Sequence, residues 1–276
     1  MASSQASGAT GYYDGPELDE LIFGALDAAG LDARPLDIDA LAPLDEFHAQ
    51  GRVATAALAE LSDLRPGIRL LDVGAGIGGP ARYLAARHGA QVTAVDATAR
   101  FCRVAERLNE ACGLDRAVEV HCADATALPF PDASFDRAWS QALIQNVPDK
   151  AALLAELRRA LCCGGSFSMF EVLSRGGQEI HFPVPWGDGP QDSFLVEGAQ
   201  LRELAEGAGF SVREWHPGVE ALARIAAAAG AEPAAPEKAG PGLELLMPDY
   251  EERMAGVARN IVEGRIELVM AVLVAE

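Results

Sequence analysis

The sequence has few basic residues for its length. Its 276 residues include 22 lysines and arginines against 41 aspartates and glutamates, so the net charge is −19 and the isoelectric point is near 4.6. Proteins that bind DNA or RNA need a basic surface for the phosphates, and anionic membranes attract basic segments in the same way. We therefore expect neither nucleic acid nor a membrane as a partner.

Metal-binding patterns and long apolar runs are also lacking. None of the five cysteines stands in a CxxC pair or in a Cys/His group with zinc-ligand spacing. The five histidines show no HxxxH or HExxH spacing, so we expect no catalytic metal. The longest apolar run, 268–275, is too short to span a bilayer, and 1–11 lacks the features of a signal peptide. These absences favour a cytoplasmic protein.

Strand and helix patterns alternate through the middle of the chain. The predicted strands cover 68–73, 91–95, 118–121, 135–140, 166–172, 211–215 and 265–274. The predicted helices cover 80–87, 99–112, 150–161, 198–208, 219–229 and 248–263. Strands separated by helices of this length form right-handed crossovers and a parallel sheet. The order therefore predicts one α/β domain.

Additional segments flank and interrupt this domain. We predict an N-terminal helical extension at 1–66, with a helix over about 46–64, and the α/β domain at 67–276. A segment rich in glycine and proline at 173–196 is long enough to predict a lid. The composition of 231–242 predicts a flexible linker.

A glycine-rich turn joins the first predicted strand to the helix that follows it. It reads Leu70-Leu71-Asp72-Val73-Gly74-Ala75-Gly76-Ile77-Gly78-Gly79-Pro80. Glycines let the backbone approach a ligand closely, and the first N–H groups of a helix are free to bind it. Gly74, Gly76 and Gly79 also match GxGxxG, so a nicotinamide-dependent oxidoreductase is an alternative. Asp72, unless it only caps the turn, favours a cation over a pyrophosphate, and S-adenosylmethionine is such a cation.

Acidic residues follow the next two predicted strands. Asp96 ends the second strand, where a carboxylate can accept hydrogen bonds from both hydroxyls of a ribose. Asp124 follows the third strand and can accept a hydrogen bond from the exocyclic amine of adenine, while the backbone of Ala125 serves the ring. Together with Ala97, which follows Asp96, these residues predict a nucleoside site.

With these motifs the chain resembles the class I S-adenosylmethionine-dependent methyltransferases over about residues 46–216. The resemblance rests on Asp72-x-Gly74-x-Gly76-x-Gly78, Asp96, Asp124-Ala125, Leu128-Pro129-Phe130, and Leu161 followed by Gly164-Gly165. It implies a Rossmann-like α/β fold with helices on both faces of a seven-stranded sheet, order 3-2-1-4-5-7-6, strand 7 antiparallel. It also implies that Asp72 and Gly74, Gly76 and Gly78 hold the methionine part of the cofactor, Asp96 the ribose and Asp124 the adenine.

Shorter segments resemble the sarcosine/dimethylglycine methyltransferase-like branch of that family. They are Tyr12-Tyr13-Asp14, Asp45-Glu46-Phe47-His48-x-x-Gly51-Arg52, His181-Phe182-Pro183-Val184-Pro185-Trp186 and Ala258-Arg259-Asn260-x-x-Glu263-Gly264-Arg265. The resemblance implies that Tyr12 or Tyr13 closes over the site, with Tyr13 counted as substrate-binding, and that Arg52 lies near the cofactor's carboxylate. The segment 141–146 has less Ser, His and Met than this branch leads us to expect. The resemblance implies that this segment lies beside the methyl group.

The chemistry is expected where the first and fourth strands part, because open α/β sheets bind ligands beyond the carboxyl ends of their strands. We predict that Gln141 contacts the cofactor there and that Gln145 and Asn146 contact the acceptor. Methyl transfer needs alignment, exclusion of water and the handling of one proton. Glu171, at the end of the fifth strand, is the first candidate for that proton, and His181 is the second.

Trp186 is the remaining candidate for the acceptor site, either facing a cationic acceptor or packing the lid onto the core. The combined prediction is transfer of a methyl group from S-adenosyl-L-methionine to a small amine or amino acid, leaving S-adenosyl-L-homocysteine. Carbon or oxygen methylation of a quinone, prenyl or other natural product is an alternative. An NAD-dependent oxidoreductase and a protein that only binds the cofactor are further alternatives, and a homodimer is left open.

Overall fold

One mixed β-sheet organises the molecule. The computed structural model describes residues 18–32, 34–229 and 240–276, and within them the strands follow the order β3-β2-β1-β4-β5-β7-β6. They are β1 Arg69–Val73, β2 Gln91–Asp96, β3 Val118–Cys122, β4 Phe135–Gln141, β5 Leu161–Ser174, β6 Phe210–Pro217 and β7 Ile266–Ala275. β7 is antiparallel to β5 and β6, and the other pairs are parallel. The predicted order and orientation are confirmed.

Helices cover both faces of this sheet. They are α1 Leu18–Ala28, α2 Ile38–Asp45, α3 Gly51–Leu61, α4 Gly79–His88, α5 Ala99–Cys112, α6 Lys150–Ala160, α7 Gly198–Gly207, α8 Val219–Ala229 and α9 Tyr250–Val262. Successive residues of a strand point to opposite faces. On β1, Leu70 packs in a cluster with α3, α4 and α8, while Leu71 packs in a second cluster with α6 and α7. Burial on both faces explains why the strands read as apolar runs.

The first two helices pack against the outside of the sheet layer. Ile22 of α1 and Leu44 of α2 belong to a third apolar cluster that includes Phe101 and Leu108 of α5. The side chain of Asp37 caps α2 by accepting a hydrogen bond from the backbone N–H of Asp39. These contacts bring the end of α2 next to the start of α4.

Two predicted boundaries are wrong. The helix predicted over 46–64 begins only at Gly51, because Gln50 has a left-handed backbone with φ of 65°, which a helix cannot contain. Residue 161 was predicted as the end of a helix, yet Leu161 already pairs with Phe135 as the first residue of β5. The pairing of β4 with β5 is irregular there. β5 therefore begins before the apolar run 166–172 from which this strand was predicted.

The predicted linker 231–242 lies outside the described residues up to 239, and in the described part Gly240 donates its N–H to the carbonyl of Ala40 at 2.8 Å. No helix among the described residues is long and apolar enough to cross a membrane.

Candidate active site

The glycine-rich turn begins where β1 ends and leads into α4. The glycines of this turn have φ angles of 72° at Gly74, 55° at Gly76 and 87° at Gly78. Residues with a side chain rarely adopt this backbone conformation. The N–H groups of Gly74 and Ala75 both donate to the carbonyl of Val95 on β2, at 2.8 and 3.0 Å. A Cβ added at Gly76 would have no atom within 4 Å. The turn is therefore fixed against β2 and leaves space beside Gly76.

Asp72 is buried at the end of β1 with an unsatisfied oxygen. Its residue is 2% exposed, and its Oδ2 has no hydrogen-bond partner. Burial raises the pKa of Asp72 to about 8, and the negative charges of Glu46 and Asp96 add to this rise. A buried carboxylate without a partner is costly, and a bound cation would remove that cost. Asp72 therefore fits the cationic methionine part of the predicted cofactor.

Asp96 is held in a defined orientation at the end of β2. Its Oδ2 accepts a hydrogen bond from the N–H of Gly76 at 2.9 Å, and its Oδ1 accepts one from the N–H of Thr98 at 2.8 Å. Burial raises the pKa of Asp96, and these two hydrogen bonds oppose the rise. A carboxylate oxygen can accept more than one hydrogen bond, so the arrangement leaves capacity for ribose hydroxyls. Ala97 beside it is exposed.

Asp124 shapes the turn that follows β3. Its Oδ1 accepts hydrogen bonds from both the N–H and the hydroxyl of Thr126, each at 2.8 Å. This is a turn in which an Asp side chain binds backbone two residues ahead. Ala125 is buried. The adenine role of Asp124 and Ala125 stays a prediction, and the turn gives Asp124 a structural role in addition.

Glu171 of β5 binds the loop after β4, which covers residues 142–149. The Oε1 of Glu171 accepts a hydrogen bond from the hydroxyl of Ser140 at 2.5 Å. Its Oε2 accepts from the N–H groups of Leu143 and Ile144 at 2.9 and 3.0 Å. The residue is 1% exposed, and burial raises its pKa to about 7 although the three hydrogen bonds lower it. Its role as a base stays a prediction, while its contacts assign it a part in shaping the loop.

Leu143 is a site residue that sequence reasoning missed. A Cβ added at Gly74 would lie 2.9 to 3.3 Å from three side-chain atoms of Leu143. The leucine therefore covers the first glycine of the turn, and Gly74 is needed for space as well as for its backbone angle. Nothing local in the sequence signals this contact, because the two residues lie on different loops at the same edge of the sheet.

Gln145 and Asn146 both bind the loop that carries them. Gln145 Nε2 and Asn146 Nδ2 donate to the carbonyl of Ala142 at 2.8 and 3.1 Å. Gln145 is 2% exposed, and its Oε1 is buried with no partner, whereas Asn146 is exposed. Since buried polar atoms are normally paired, the Gln145 oxygen fits a donor supplied by a ligand. Acceptor binding by both residues stays a prediction.

A buried polar cluster of Glu46, His48 and Thr55 contacts the same edge of the sheet. Glu46 and His48 precede α3, and Thr55 lies on it. Thr55 Oγ1 lies 2.6 Å from Glu46 Oε2 and 3.1 Å from Gln141 Oε1. His48 Nε2 lies 2.9 Å from Glu46 Oε2. Burial raises the pKa of Glu46, but the hydrogen bond from His48 and the charge of Arg52 outweigh burial and hold the pKa well below its usual value. Sequence reasoning missed Glu46, His48 and Thr55, although the segment 45–52 contained the first two.

The two predicted cofactor ligands next to this cluster have protein partners. Arg52 donates from Nε to Glu46, from Nη1 to Asp39 at 3.0 Å and from Nη2 to the carbonyl of Ile38 at 3.2 Å. Gln141 Oε1 also accepts a hydrogen bond from Trp139 Nε1 at 2.9 Å. Arg52 is thus engaged by carboxylates of the protein itself, and its contact with the cofactor's carboxylate stays a prediction, as does that of Gln141.

The segment after β5 packs onto the sheet. Trp186 is 5% exposed within the cluster that contains α3, α4 and α8, and its Nε1 donates to Ser193 Oγ at 2.9 Å. The N–H of Phe194 donates to the carbonyl of Gln145 at 2.9 Å. Packing is therefore the role that the contacts give Trp186, and its stacking on a cationic acceptor stays a prediction.

His181 is bound to α9 rather than to the loops after β1 and β4. Its Nε2 lies 2.7 Å from Glu263 Oε2, and its N–H donates to Asn260 Oδ1 at 2.8 Å. These contacts do not favour its predicted role as a base, which stays untested. Tyr13 lies outside the described residues. Among the described residues no group of three or more His, Cys, Asp or Glu side chains could hold a metal ion.

The known proteins that this chain resembles include methyltransferases. A family model described as a methyltransferase domain matches residues 71–169. The chain is 32% identical over 218 residues to a dimethylglycine N-methyltransferase of Parasynechococcus marenigrum (strain WH8102), covering 77% of this chain and 75% of that relative. It is 38% identical over 167 residues to 24-methylenesterol C-methyltransferase 2 of Oryza sativa subsp. japonica, covering 58% of this chain and 46% of that relative.

A solved structure shows the same fold. Phosphoethanolamine N-methyltransferase 2 of Haemonchus contortus, in complex with S-adenosyl-L-methionine, superposes with a TM-score of 0.62 at 22% identity. The match covers 84% of this chain and 54% of that one. The relatives include enzymes named for transfer to nitrogen and enzymes named for transfer to carbon.

Proposed function

The chain belongs to the class I S-adenosylmethionine-dependent methyltransferases, and within that family we propose that it methylates the nitrogen of a small amine or amino acid. S-adenosyl-L-methionine is its cofactor, and S-adenosyl-L-homocysteine is the product. The NAD-dependent alternative is set aside by this membership. The observation that carries the nitrogen proposal is the buried, unpartnered Oε1 of Gln145 on the loop after β4.

The residues at the sheet edge fit the cofactor. We propose that Asp72 and the glycine-rich turn hold its methionine part, that Asp96 with Ala97 holds the ribose, and that Asp124 with Ala125 holds the adenine. The bound cofactor supplies a methyl group already activated on a sulfonium. The unpaired Asp72 oxygen supports this placement because it accepts from an ammonium group.

Gln145 gives the acceptor a polar contact. Its amide nitrogen is bound to the carbonyl of Ala142, so its oxygen remains to receive an N–H from an acceptor nitrogen that keeps one, as in glycine or sarcosine. Such a contact orients the acceptor nitrogen, and orientation is the main contribution a protein makes to an in-line displacement. Gln145 therefore acts in the proposal by aligning the acceptor.

Two covering segments complete the proposed site. We propose that the described part of the N-terminal extension, 18–32 and 34–66, and the segment 173–196 cover the acceptor and keep out water. The contact of Thr55 with Gln141 and that of Phe194 with Gln145 support this, because each joins a covering segment to the loop after β4.

The proposal is tested by assaying methyl transfer to glycine, sarcosine and dimethylglycine with isotopically labelled cofactor. We expect incorporation of label into at least one of these amines. A carbon acceptor such as a sterol or quinone is the second candidate, favoured by the 38% identity to a sterol C-methyltransferase. Turnover of a sterol or prenylated quinone without turnover of any amine would replace the nitrogen proposal.

Gln145→Leu is expected to raise the KM for an acceptor with an N–H, such as sarcosine, by about tenfold, because one buried hydrogen bond is lost. The affinity for S-adenosyl-L-homocysteine, measured by calorimetry, should change little. Asn146→Leu is the matched control, since Asn146 donates to the same carbonyl of Ala142 but is exposed, and the proposal assigns it no contact with the acceptor. Equal effects of the two substitutions would assign the loss to the loop and contradict a contact between Gln145 and the acceptor.

A further inference from the structure

Glu171 binds β4 with one carboxylate oxygen and the loop after β4 with the other. Three donors converge on the two oxygens: the hydroxyl of Ser140 and the N–H groups of Leu143 and Ile144. The residue is 1% exposed. A catalytic base must reach the proton that it removes, and both oxygens of this carboxylate are engaged inside the protein.

The loop depends on these contacts for its shape. Ala142 has a φ of 56°, an uncommon conformation for a residue with a side chain, and it is followed by a 3-10 turn over 144–146. The N–H groups of Leu143 and Ile144 stand at the start of that turn, where no carbonyl of the turn can accept them. The Glu171 carboxylate supplies the missing acceptor.

The loop in turn shapes two parts of the site. Leu143 lies over Gly74, at the first glycine of the turn that the cofactor approaches. The carbonyl of Gln145 accepts the N–H of Phe194 from the covering segment 173–196. The Glu171 carboxylate therefore holds the loop that places Leu143 over the glycine-rich turn. The same loop carries the Gln145 carbonyl that binds the covering segment.

We propose that Glu171 is a positioning residue, which holds the loop after β4 in the shape that cofactor and acceptor require and transfers no proton itself. The inference rests on the placement of the cofactor over the glycine-rich turn. It does not depend on which acceptor is methylated, so its test is independent of the acceptor assay.

Glu171→Gln and Glu171→Met separate this role from proton transfer. The two side chains have similar length, but only glutamine keeps an oxygen that can accept from Leu143 and Ile144. Ser140→Ala is the matched control, since it removes the third donor and leaves both backbone contacts. The measurements are hydrogen–deuterium exchange of a peptide that spans 141–147 and the affinity for S-adenosyl-L-homocysteine, both without an acceptor.

We expect Glu171→Met to speed exchange of this peptide and to weaken cofactor affinity, each by about tenfold or more, because two buried N–H groups lose their acceptor. Glu171→Gln and Ser140→Ala should stay within about threefold of the wild type in both measurements. Wild-type exchange and affinity in Glu171→Met would overturn the proposal, as would equal losses in Glu171→Gln and Glu171→Met.

Turnover adds a second discrimination. With an acceptor that is methylated, Glu171→Gln should keep kcat within about threefold, because it restores the loop, while a residue that carries the proton contributes about a hundredfold or more. A loss of that size in Glu171→Gln with wild-type exchange would show proton transfer and overturn the positioning role.

Discussion

Replacing Asp72 with asparagine is expected to weaken cofactor binding by about tenfold or more and, at the same time, to stabilise the free protein. The loss of affinity follows because a neutral amide cannot match a carboxylate in binding an ammonium group. The gain in stability follows because Asp72 is buried with an unpaired oxygen beside the charges of Glu46 and Asp96. Calorimetry with S-adenosyl-L-methionine and thermal unfolding without ligand measure the two effects.

The stability gain has a defined dependence on pH. The pKa of Asp72 is raised from 3.8 to about 8 in the folded protein, so the folded state binds the proton more tightly than the unfolded state. The stability contributed by this proton is present at low pH and is lost as the pH rises towards 8. The advantage of Asp72→Asn in unfolding free energy should therefore grow between pH 4 and 8 and stay constant above.

Asp136→Asn is the control for both effects. Asp136 lies at the opposite end of the parallel strands, where the hydrogen bond from Arg69 lowers its pKa. Its replacement should leave cofactor affinity unchanged. It should also lower the unfolding free energy at neutral pH and make little difference at low pH, where Asp136 is protonated in the wild type too. If Asp72→Asn lowered the stability of the free protein at pH 8, Asp72 would have a stabilising partner and the assignment would be wrong.

Arg82→Met should be the most destabilising of these substitutions, with a loss of about 3–5 kcal/mol. Arg82 is fully buried in α4 and binds Asp45 Oδ2 at 2.8 Å, the carbonyl of Ile77 at 2.8 Å and Asn109 Oδ1 at 2.9 Å. Burial already raises the pKa of Asp45, and the charge of Arg82 opposes that rise. Without Arg82, the buried Asp45 carboxylate next to Glu46 keeps only the more distant charge of Arg52, 3.8 Å away. Denaturant unfolding measures the loss.

Arg87→Met provides the matched comparison. Arg87 lies on the same helix and pairs with Asp39, but its side chain is 40% exposed, so its replacement should cost less than about 1 kcal/mol. The double variant Arg82→Met/Asp45→Asn should recover part of the loss because it removes the unpaired charge. Equal unfolding curves for Arg82→Met and Arg87→Met would refute the importance of the buried pair.

The Arg82–Asp45 pair lies next to the glycine-rich turn. A Cβ added at Gly79, the first residue of α4, would lie 2.1 Å from the carbonyl oxygen of Asp45. Helices α2 and α4 are therefore in direct backbone contact where the glycine-rich turn ends. Loosening this contact should disturb the turn, so Arg82→Met is also expected to weaken cofactor affinity.

Strand order and the acidic residues at the strand ends were accessible from the sequence. The alternation of apolar strands and helices predicted a parallel sheet, and the resemblance carried by Asp72, the glycine-rich turn and Asp96 supplied the strand order that the structure has. The errors lie at boundaries such as 46–50. There the residues up to Gln50 are not part of α3, and the side chains of Glu46 and His48 are buried.

The hydrogen-bond partners of the buried polar side chains could not be predicted from the sequence. Glu171 was identified as a base because it follows an apolar strand, yet its oxygens receive donors from residues 27 to 31 positions away. Arg52 was assigned to the cofactor, and it is the neighbouring carboxylates of Glu46 and Asp39 that bind it. Leu143 carried no signal, although it covers Gly74.

The sequence by itself determined the sheet, the family and the glycine-rich turn that we propose binds the cofactor. These depend on patterns with short repeats, of two residues in strands and 3.6 in helices, and on glycines and carboxylates at fixed positions within them. Only the tertiary structure decided which buried polar groups satisfy one another and which remain unpaired. Thr55 with Gln141, Asp45 with Arg82, and Glu171 with the loop after β4 each join residues far apart in the chain. A buried polar group is stable only with a partner, and packing of the elements selects that partner.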